Sequence, residues 1–205
     1  MPTSAPGTSS GPGSDSASDA PPDSEDNNGP RRKRPAGRLS ADQRRAEVLE
    51  AAVVEFAESG YQGARTADIA ARAGVSQPYV YALFPDKRSL FLACHDATTD
   101  RIKESIEKAA AGAENENAGQ ILDRAYQELF HAHPHQVLFQ VQAHAAATAD
   151  PVIRAPVRQR FIELVELGER LPGAPRDLVL RHVARAMLGN VALALDLPPE
   201  YRPAV

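Results

Sequence analysis

The chain of 205 residues has a single cysteine, Cys94, and no tryptophan. One thiol can form neither an intramolecular disulfide nor a Cys-rich metal site or redox pair. The sequence has no apolar run of about 18 residues, which excludes a membrane-spanning helix, and its first thirty residues lack the basic and apolar segments of a secretory signal. We therefore expect a cytoplasmic protein without a membrane partner.

Signatures of catalysis are also missing. There is no nucleophile–base set, phosphate-binding loop or cofactor fingerprint, so we expect no enzymatic activity and no cofactor. His131, His133 and His135 suggest a metal site, but residues two apart on a helix diverge, and no carboxylate or Cys stands beside them at ligand spacing. Cys94 and His95 are adjacent on a helix and cannot form a catalytic dyad. We expect structural roles for both groups.

Charge is unevenly distributed within a net charge of −4. Residues 1–30 contain five acidic residues and no base, residues 31–90 contain eleven bases and seven acids, and residues 91–205 contain twelve bases and fifteen acids. A basic block between two acidic ones is expected of a module that binds a polyanion.

Residues 1–39 are poor in aliphatic and aromatic side chains and rich in Gly, Pro, Ser and Asp, so we expect a disordered tail. The tail ends in a basic arm made of Arg31, Arg32, Lys33, Arg34 and Arg38, which Arg44 and Arg45 continue. The arm could lie in a DNA minor groove or along phosphates, and a solvated linker is the alternative. The acidic segment before it could compete with DNA for the arm.

From Ser40 onward, apolar residues recur at the three- and four-residue spacing of helices, and no segment alternates like a strand. The sequence therefore predicts an all-α fold. Residues 40–86 are expected to form a three-helix helix-turn-helix domain, with a capping box of Ser40 and Gln43 and with Thr66 and Ser76 as caps. Asp86 is expected to cap the helix that follows. Residues 87–197 are expected to form a helical C-terminal domain, followed by a tail at 198–205. The predicted helices are 41–59, 67–73, 77–84, 87–110, 120–132, 135–148, 152–170 and 176–195.

The third predicted helix follows the turn Ala73-Gly74-Val75-Ser76 and has too few aliphatic residues to be buried. Its remaining surface carries Gln77, Pro78, Tyr79, Tyr81 and Ala82. Such groups suit a major groove, where Gln pairs with adenine and apolar atoms contact the thymine methyl. Tyr81, Lys87 and Arg65 are placed to hold phosphates, as is the start of the second helix at Thr66. A three-helix unit that packs without binding nucleic acid is the alternative.

Residues 41–92 resemble the DNA-binding domain of the TetR family of bacterial transcriptional regulators. Tyr81 and several short segments carry the resemblance. The segments are Phe56-Ala57-Glu58-Ser59-Gly60-Tyr61, Thr66-Ala67-Asp68-Ile69-Ala70, Ala73-Gly74-Val75-Ser76, Phe84-Pro85 with Lys87, and Leu90-Phe91. It implies a homodimer on double-stranded DNA, with N-terminal domains in successive major grooves of a palindromic operator. It also implies a C-terminal domain for effector binding and dimerisation, which binds a small ligand and releases the DNA.

The resemblance places Thr66, Gln77, Tyr79, Tyr81 and Lys87 at positions that commonly contact DNA in the family. With the residues that the basic arm and the two short helices suggest, the expected DNA-binding residues are Arg38, Arg65, Thr66, Ser76, Gln77, Pro78, Tyr79, Tyr81 and Lys87. Two positions depart from the family pattern: Leu83 stands where His or Tyr is frequent, and Arg88 replaces a frequent acidic residue and could touch phosphate.

In the C-terminal domain, an unknown small-molecule effector is expected among the middle helices, with core packing as the alternative for each residue. The expected ligand-binding residues are Ile102, Tyr126, Phe130, Phe139 and His144. Apolar stripes on the last two helices are expected to form the dimer contact, through Phe161, Leu164, Val183, Met187, Leu188 and Val191. The prediction is a dimeric repressor released from its operator by a ligand. The alternative is a helix-turn-helix regulator without an effector, controlled by a protein partner or by abundance.

Overall fold

Helix α1 (Ala41–Gly63) begins at the predicted capping box. The Gln43 amide donates to Ser40 Oγ at 3.1 Å, and the Ser40 amide donates to the Gln43 side chain at 2.8 Å. Gly60 has φ +69° and ψ 173°, which are not helical values, so the regular helix is interrupted by a kink at its predicted end and a further turn runs to Gly63. The computed structural model describes residues 40–113 and 115–203. The basic arm and the predicted disordered tail lie outside them.

Helices α2 (Thr66–Arg72) and α3 (Gln77–Leu83) are joined by a tight turn in which Gly74 has φ +65°. Ser76 caps α3 as predicted, accepting from the Tyr79 amide, and Pro78 lies in the first turn. The prediction that Thr66 caps α2 is wrong. Thr66 is the first helical residue, Arg65 holds the cap position without a side-chain hydrogen bond, and the Thr66 hydroxyl is engaged by α3.

The remaining helices agree with the predicted positions within one or two residues. Asp86 caps the long helix α4 by accepting from the Ser89 amide at 2.7 Å. Asn117 and Gln120 form a capping box that starts the next helix two residues earlier than predicted. The bounds are α4 (Lys87–Ala111), α5 (Ala118–Ala132), α6 (Pro134–Ala149), α7 (Pro151–Glu169) and α8 (Arg176–Ala194), followed by a 3-10 turn at Pro199–Tyr201.

The fold is all-helical across the described residues, and two apolar clusters form its interior. The first joins α1–α3 to α4, α6 and the start of α7 around four aromatic rings. Phe91 lies at its centre, with its ring centroid 4.9 Å from those of Phe56 and Tyr61 and 5.1 Å from that of Phe139. The second cluster lies between α4, α5, α7 and α8. Thus α4 belongs to both clusters, and Phe139 ties α6 to the first.

Within the described ranges, none of the helices has the length and apolarity needed to cross a bilayer.

Candidate functional site

A polar network joins the two short helices of the helix-turn-helix. Gln77 Nε2 donates to Thr66 Oγ1 at 2.8 Å, and the same hydroxyl lies 3.0 Å from the Tyr81 hydroxyl. Thr66 is 8% exposed, whereas Tyr81 is 46% exposed. The buried hydroxyl of Thr66 therefore orients Gln77 and Tyr81 through hydrogen bonds on their inner side, and both of these side chains remain at the surface.

The rest of the exposed face of α3 has little cover from the chain. Pro78 and Ala82 are exposed and Tyr79 is half-buried, whereas Val80 and Phe84 are buried on the opposite side. Ser76 is exposed but serves as the cap. Arg65 stands beside this face with its side chain 75% exposed and only a 3.8 Å contact to Asp68. These residues form what we call the α3 face: Arg65, Gln77, Pro78, Tyr79, Tyr81 and Ala82.

Lys87 is placed differently from the prediction that it contacts phosphate. Its Nζ donates to the carbonyl oxygens of Gln62 and Ala64, each at 3.1 Å, and lies 5.2 Å from the centre of the Tyr61 ring. The side chain is half-buried. Lys87 therefore fastens the first turn of α4 to the end of α1, a role that spacing along the sequence does not reveal.

Other basic side chains near the helix-turn-helix are also engaged within the chain. Arg45 donates to the Leu83 carbonyl at 3.1 Å and lies 4.2 Å from the Phe84 ring centre, so it steadies the end of α3. Arg44 pairs with Glu47. Arg88 pairs with Asp150 at 3.2 Å, and its contact with phosphate stays a prediction. Arg38 and the four basic residues at 31–34 lie outside the described residues.

A cavity lies within the second apolar cluster, between α4, α5, α6, α7 and α8. Its volume is about 100 Å³, counted as the space open to the centre of a water-sized molecule. Its wall is predominantly apolar, and Gln140, Tyr126, Asn190 and His182 supply the polar groups. An apolar chamber with a few polar groups is the usual form of a small-molecule site.

Three of these four polar groups are already paired. The Tyr126 hydroxyl donates to Asn190 Oδ1 at 3.1 Å or to the Ala186 carbonyl at 3.2 Å, and burial raises the pKa of Tyr126 to about 12. His182 Nδ1 lies 3.0 Å from Asp123 Oδ1. Burial lowers the pKa of His182 more than this carboxylate raises it, so the imidazole is neutral at neutral pH.

The predicted ligand-binding residues divide into three groups. Ile102 and Tyr126 line the cavity, and His144 lines a smaller neighbouring cavity. Phe130 packs on the Tyr126 ring, with centroids 5.8 Å apart, and is not among the lining residues. Phe139 is fully buried in the first cluster against Phe91 and Phe56, which corrects its placement at the cavity.

The predicted dimer residues fall on two faces of α7 and α8. Phe161, Leu164, Val183 and Met187 line the cavity, and a dimer contact through them stays a prediction. Leu188 and Val191 are 48% and 42% exposed. Together with Leu180, Ala184 and Leu195 they form what we call the α8 stripe: Leu180, Ala184, Leu188, Val191 and Leu195. The sequence shows apolar spacing on both faces, and burial alone separates them.

The three histidines at 131, 133 and 135 do not converge. His131 Nδ1 lies 2.8 Å from the Gln127 carbonyl, and His135 faces Glu58 at 3.6 Å. Where the structure describes the chain, no three His, Cys, Asp or Glu side chains are grouped so as to hold a metal ion.

Comparisons with known proteins point in one direction. Residues 48–94 match the family described as bacterial regulatory proteins, tetR family. The chain is 40% identical over 83 residues to the HTH-type transcriptional activator FasR of Mycolicibacterium smegmatis. That match covers 38% of this chain and 38% of the relative, so most of each protein lies outside it.

Solved structures share the fold over a larger part of the chain. A TetR-like transcriptional regulator from Rhodococcus sp. RHA1 is 24% identical, with a TM-score of 0.58 over 76% of this chain and 85% of that one. The transcriptional regulator FadR from Bacillus subtilis, in complex with stearoyl-CoA, is 16% identical, with a TM-score of 0.59 over 74% of this chain and 88% of that one. A transcriptional regulator from Saccharomonospora viridis, in complex with choline, is 18% identical, with a TM-score of 0.58 over 78% of this chain and 89% of that one.

Proposed function

We propose that the chain is a regulator of the TetR family, and that it is a dimeric, DNA-binding transcriptional repressor of the cytoplasm which a small ligand releases from its operator. The match of residues 48–94 to the family and the similarity to known regulators support this. The observation that carries the proposal is the α3 face. Its polar and small apolar groups are open to solvent, whereas Val80 and Phe84 anchor the same helix in the core. We assign the reading head to residues 40–86 and the regulatory body to residues 87–197.

In this function the α3 face enters the major groove. Gln77 and Tyr79 read base edges, and Pro78 and Ala82 supply apolar contact with thymine methyl groups. Arg65 and Tyr81 hold phosphates and fix the register. Thr66 limits the rotamers of Gln77 and Tyr81 before DNA arrives, which lowers the entropy lost on binding. Lys87 stabilises the reading head through its bonds to the end of α1 and does not contact the DNA.

The α8 stripe supports dimerisation. Four large apolar side chains along α8 and at its C-cap, at positions 180, 188, 191 and 195, are between 42% and 65% exposed. A contiguous apolar surface of this kind marks an interaction site, and pairing it with the same surface of a second copy gives a closed twofold interface. The two reading heads would then meet half-sites about 34–36 Å apart or a multiple of it.

Ligand control is supported by the connection between the cavity and the reading head. Helix α4 lines the cavity through Ile102 and Ile106, and its first residue, Lys87, is tied to the end of α1. Helix α6 lines it through Gln140, and Phe139 on the same helix packs against the head. A ligand that binds one arrangement of α4 and α6 better than the other would shift the spacing of the heads. Such coupling is typically about 1–3 kcal/mol.

One other candidate function rests on a specific observation. The similarity to an activator favours activation by the same surfaces, because the sign of regulation depends on where the operator lies. A filled interior would favour a regulator without an effector, and the cavity in the second cluster argues against it.

Selection of bound sequences from a random duplex library tests the central proposal. We expect enrichment of a palindrome, with each half read by one head. Gln77→Ala should cost about 1–3 kcal/mol of discrimination at one base pair per half-site, and Gln62→Ala, an exposed amide at the end of α1, serves as the matched control. Arg65→Ala should weaken binding to all sequences and reduce the log–log salt slope by about 1 per subunit. If the protein bound no duplex at low ionic strength, the proposal would be refuted.

The dimer is tested at one position of the α8 stripe. Leu188→Glu places a charge at the centre of the proposed interface, so we expect a monomer in sedimentation and loss of operator binding. Leu188→Met keeps the surface apolar and should remain dimeric. A wild-type monomer at micromolar concentration would contradict the assignment.

A further inference from the structure

A second, smaller cavity adjoins the first. Ile102, Gln140, Phe161 and Leu164 line both, so the two spaces are adjacent and share these side chains. The second cavity is otherwise lined by His95, Thr98 and Thr99 of α4, with His144 of α6 and Val157 of α7. Side-chain rotation at the shared residues would join them into one elongated chamber.

Two buried polar atoms at the second cavity lack partners. His95 is 7% exposed and Thr98 2% exposed, and neither His95 Nδ1 nor Thr98 Oγ1 has a hydrogen-bond partner within the described part of the chain. The neighbouring Thr99 differs, because its hydroxyl donates to the His95 carbonyl at 2.8 Å. Unpaired polar atoms in an interior lower the stability of the fold, so such a pair is a reason to look for a ligand.

The far end of the chamber offers less unused hydrogen-bonding capacity, because Tyr126, Asn190 and His182 are bonded to one another or to Ala186 and Asp123. Gln140 lies between the two cavities and is half-buried. Among the residues that line the two cavities, His95 and Thr98 are the ones with a fully buried polar atom that has no partner in the described residues. A polar group brought into the chamber therefore gains most at His95 and Thr98.

The residues that line the two cavities limit the charge that such a polar group can carry. Among the lining residues of the two cavities there is no Asp, Glu, Lys or Arg. Beside them, Arg160 is already held by Asp96, Asp100 and Glu163, at 2.9, 2.7 and 3.1 Å. Burial lowers the pKa of His95 to about 4 and also lowers the pKa of His144, so both imidazoles are neutral near pH 7. A charged head group would enter without a counter-ion.

We propose that the two cavities form one binding site for an apolar molecule with a single hydroxyl head, the hydroxyl bonding to His95 Nδ1 and Thr98 Oγ1. A hydroxyl both donates and accepts, so it satisfies both atoms whichever tautomer His95 adopts. The apolar body lies against Ile106, Leu122 and Val183. This inference rests on the proposed ligand control and specifies the chemical class of its ligand.

Four probes with the same alkyl chain test the head group, namely octanol, chlorooctane, octanoate and octyltrimethylammonium. Each is titrated into the full chain without DNA, by calorimetry and by the shift in Tm. We expect octanol to bind about tenfold more tightly than chlorooctane, and the two ions to bind more weakly than octanol. Equal affinity for octanol and chlorooctane, tighter binding of either ion, or binding of none of the four would overturn the proposal.

Variants at two adjacent threonines place the head group within the chamber. Thr98→Val removes the unpaired hydroxyl at nearly constant volume and should abolish most of the preference for octanol, whereas Thr98→Ser should retain it. Thr99→Val removes a hydroxyl already committed to the backbone and should leave the preference unchanged. The Tm of each variant without probe shows whether it is folded. An unchanged preference in Thr98→Val would place the hydroxyl elsewhere and contradict the assignment.

DNA binding is measured separately on the same preparations. Operator binding without any octanol preference would refute the hydroxyl site and leave the regulator intact. The preference without any DNA binding would refute the regulator and leave the site standing.

Discussion

The two apolar clusters of this protein differ in how completely their interiors are filled and in the polarity of the surface outside them. The N-terminal cluster is closed around Phe56, Phe91 and Phe139, all with 0% exposure, and the α3 face outside it is mainly polar. The C-terminal cluster surrounds a cavity, and its last helix carries the exposed apolar α8 stripe. One region has a filled interior and a polar exterior, whereas the other keeps unfilled space inside and apolar surface outside.

The difference follows from what each region would have to do in the proposed function. A surface that reads base edges needs fixed side chains, and a filled core beneath it limits their movement. A region that responds to a ligand and pairs with a second copy needs space and apolar surface, both of which lower the stability of the isolated chain. Three perturbations test how far this contrast extends.

The largest expected effect is the loss of an aromatic ring from the closed core. Phe91→Ala removes a ring that contacts three others, so the free energy of unfolding should fall by about 3–5 kcal/mol. Phe161→Ala, which enlarges an existing cavity, should cost less, about 1–3 kcal/mol. Urea unfolding at one protein concentration measures both. Equal losses would remove the contrast between the clusters.

Acidification comes next and acts at the boundary of the second cavity. Burial lowers the pKa of His95 from 6.5 to about 4, with a partial opposing effect from Asp96 and further lowering from His144 and Arg160. Between those pH values the unfolded chain takes up a proton that the folded chain does not, so stability is complete above pH 6.5 and falls toward pH 4. The loss attributable to His95 is up to about 3 kcal/mol.

His95→Gln removes this titration, and unfolding measured between pH 7 and about 4.5 should show a flatter dependence than wild type. Carboxylates contribute at lower pH: hydrogen bonds from Lys103 and Arg160 lower the pKa of Glu163 to about 2. A wild-type slope in His95→Gln would mean that other groups control the acid response.

The smallest effect concerns the close approach of α8 to α5. A Cβ at Gly189 would lie 2.2 Å from the Tyr126 hydroxyl, so Gly189→Ala must displace that ring from Asn190 and should cost about 1–3 kcal/mol. Gly63→Ala, where a Cβ meets Ser59 at an ordinary 3.7 Å, should be neutral or slightly stabilising. Thermal unfolding of the pair distinguishes them. A neutral Gly189→Ala would show that Tyr126 moves freely and that this wall of the cavity is soft.

Local sequence signals predicted the helices well. Ser40 with Gln43, Ser76 with Pro78, and Asp86 define three helix starts through bonds within four residues, and all three were confirmed. Thr66 was misread because its hydroxyl is engaged by Gln77 and Tyr81, eleven and fifteen residues away. A capping motif carries no information about such a partner, which depends on how the two helices cross.

In the candidate sites too, local sequence predicted some features, and the packing of distant helices determined the others. Residue type and helical spacing were sufficient to assign the helix-turn-helix and a polar outer face of α3, because both follow from chain-local geometry. Packing of helices distant in sequence directs Lys87 to the end of α1, turns Met187 toward the cavity and leaves Leu188 beside it in solvent. Each apolar residue on a helix is equally suited to a core, a cavity or an interface, and only the positions of neighbouring helices distinguish these environments.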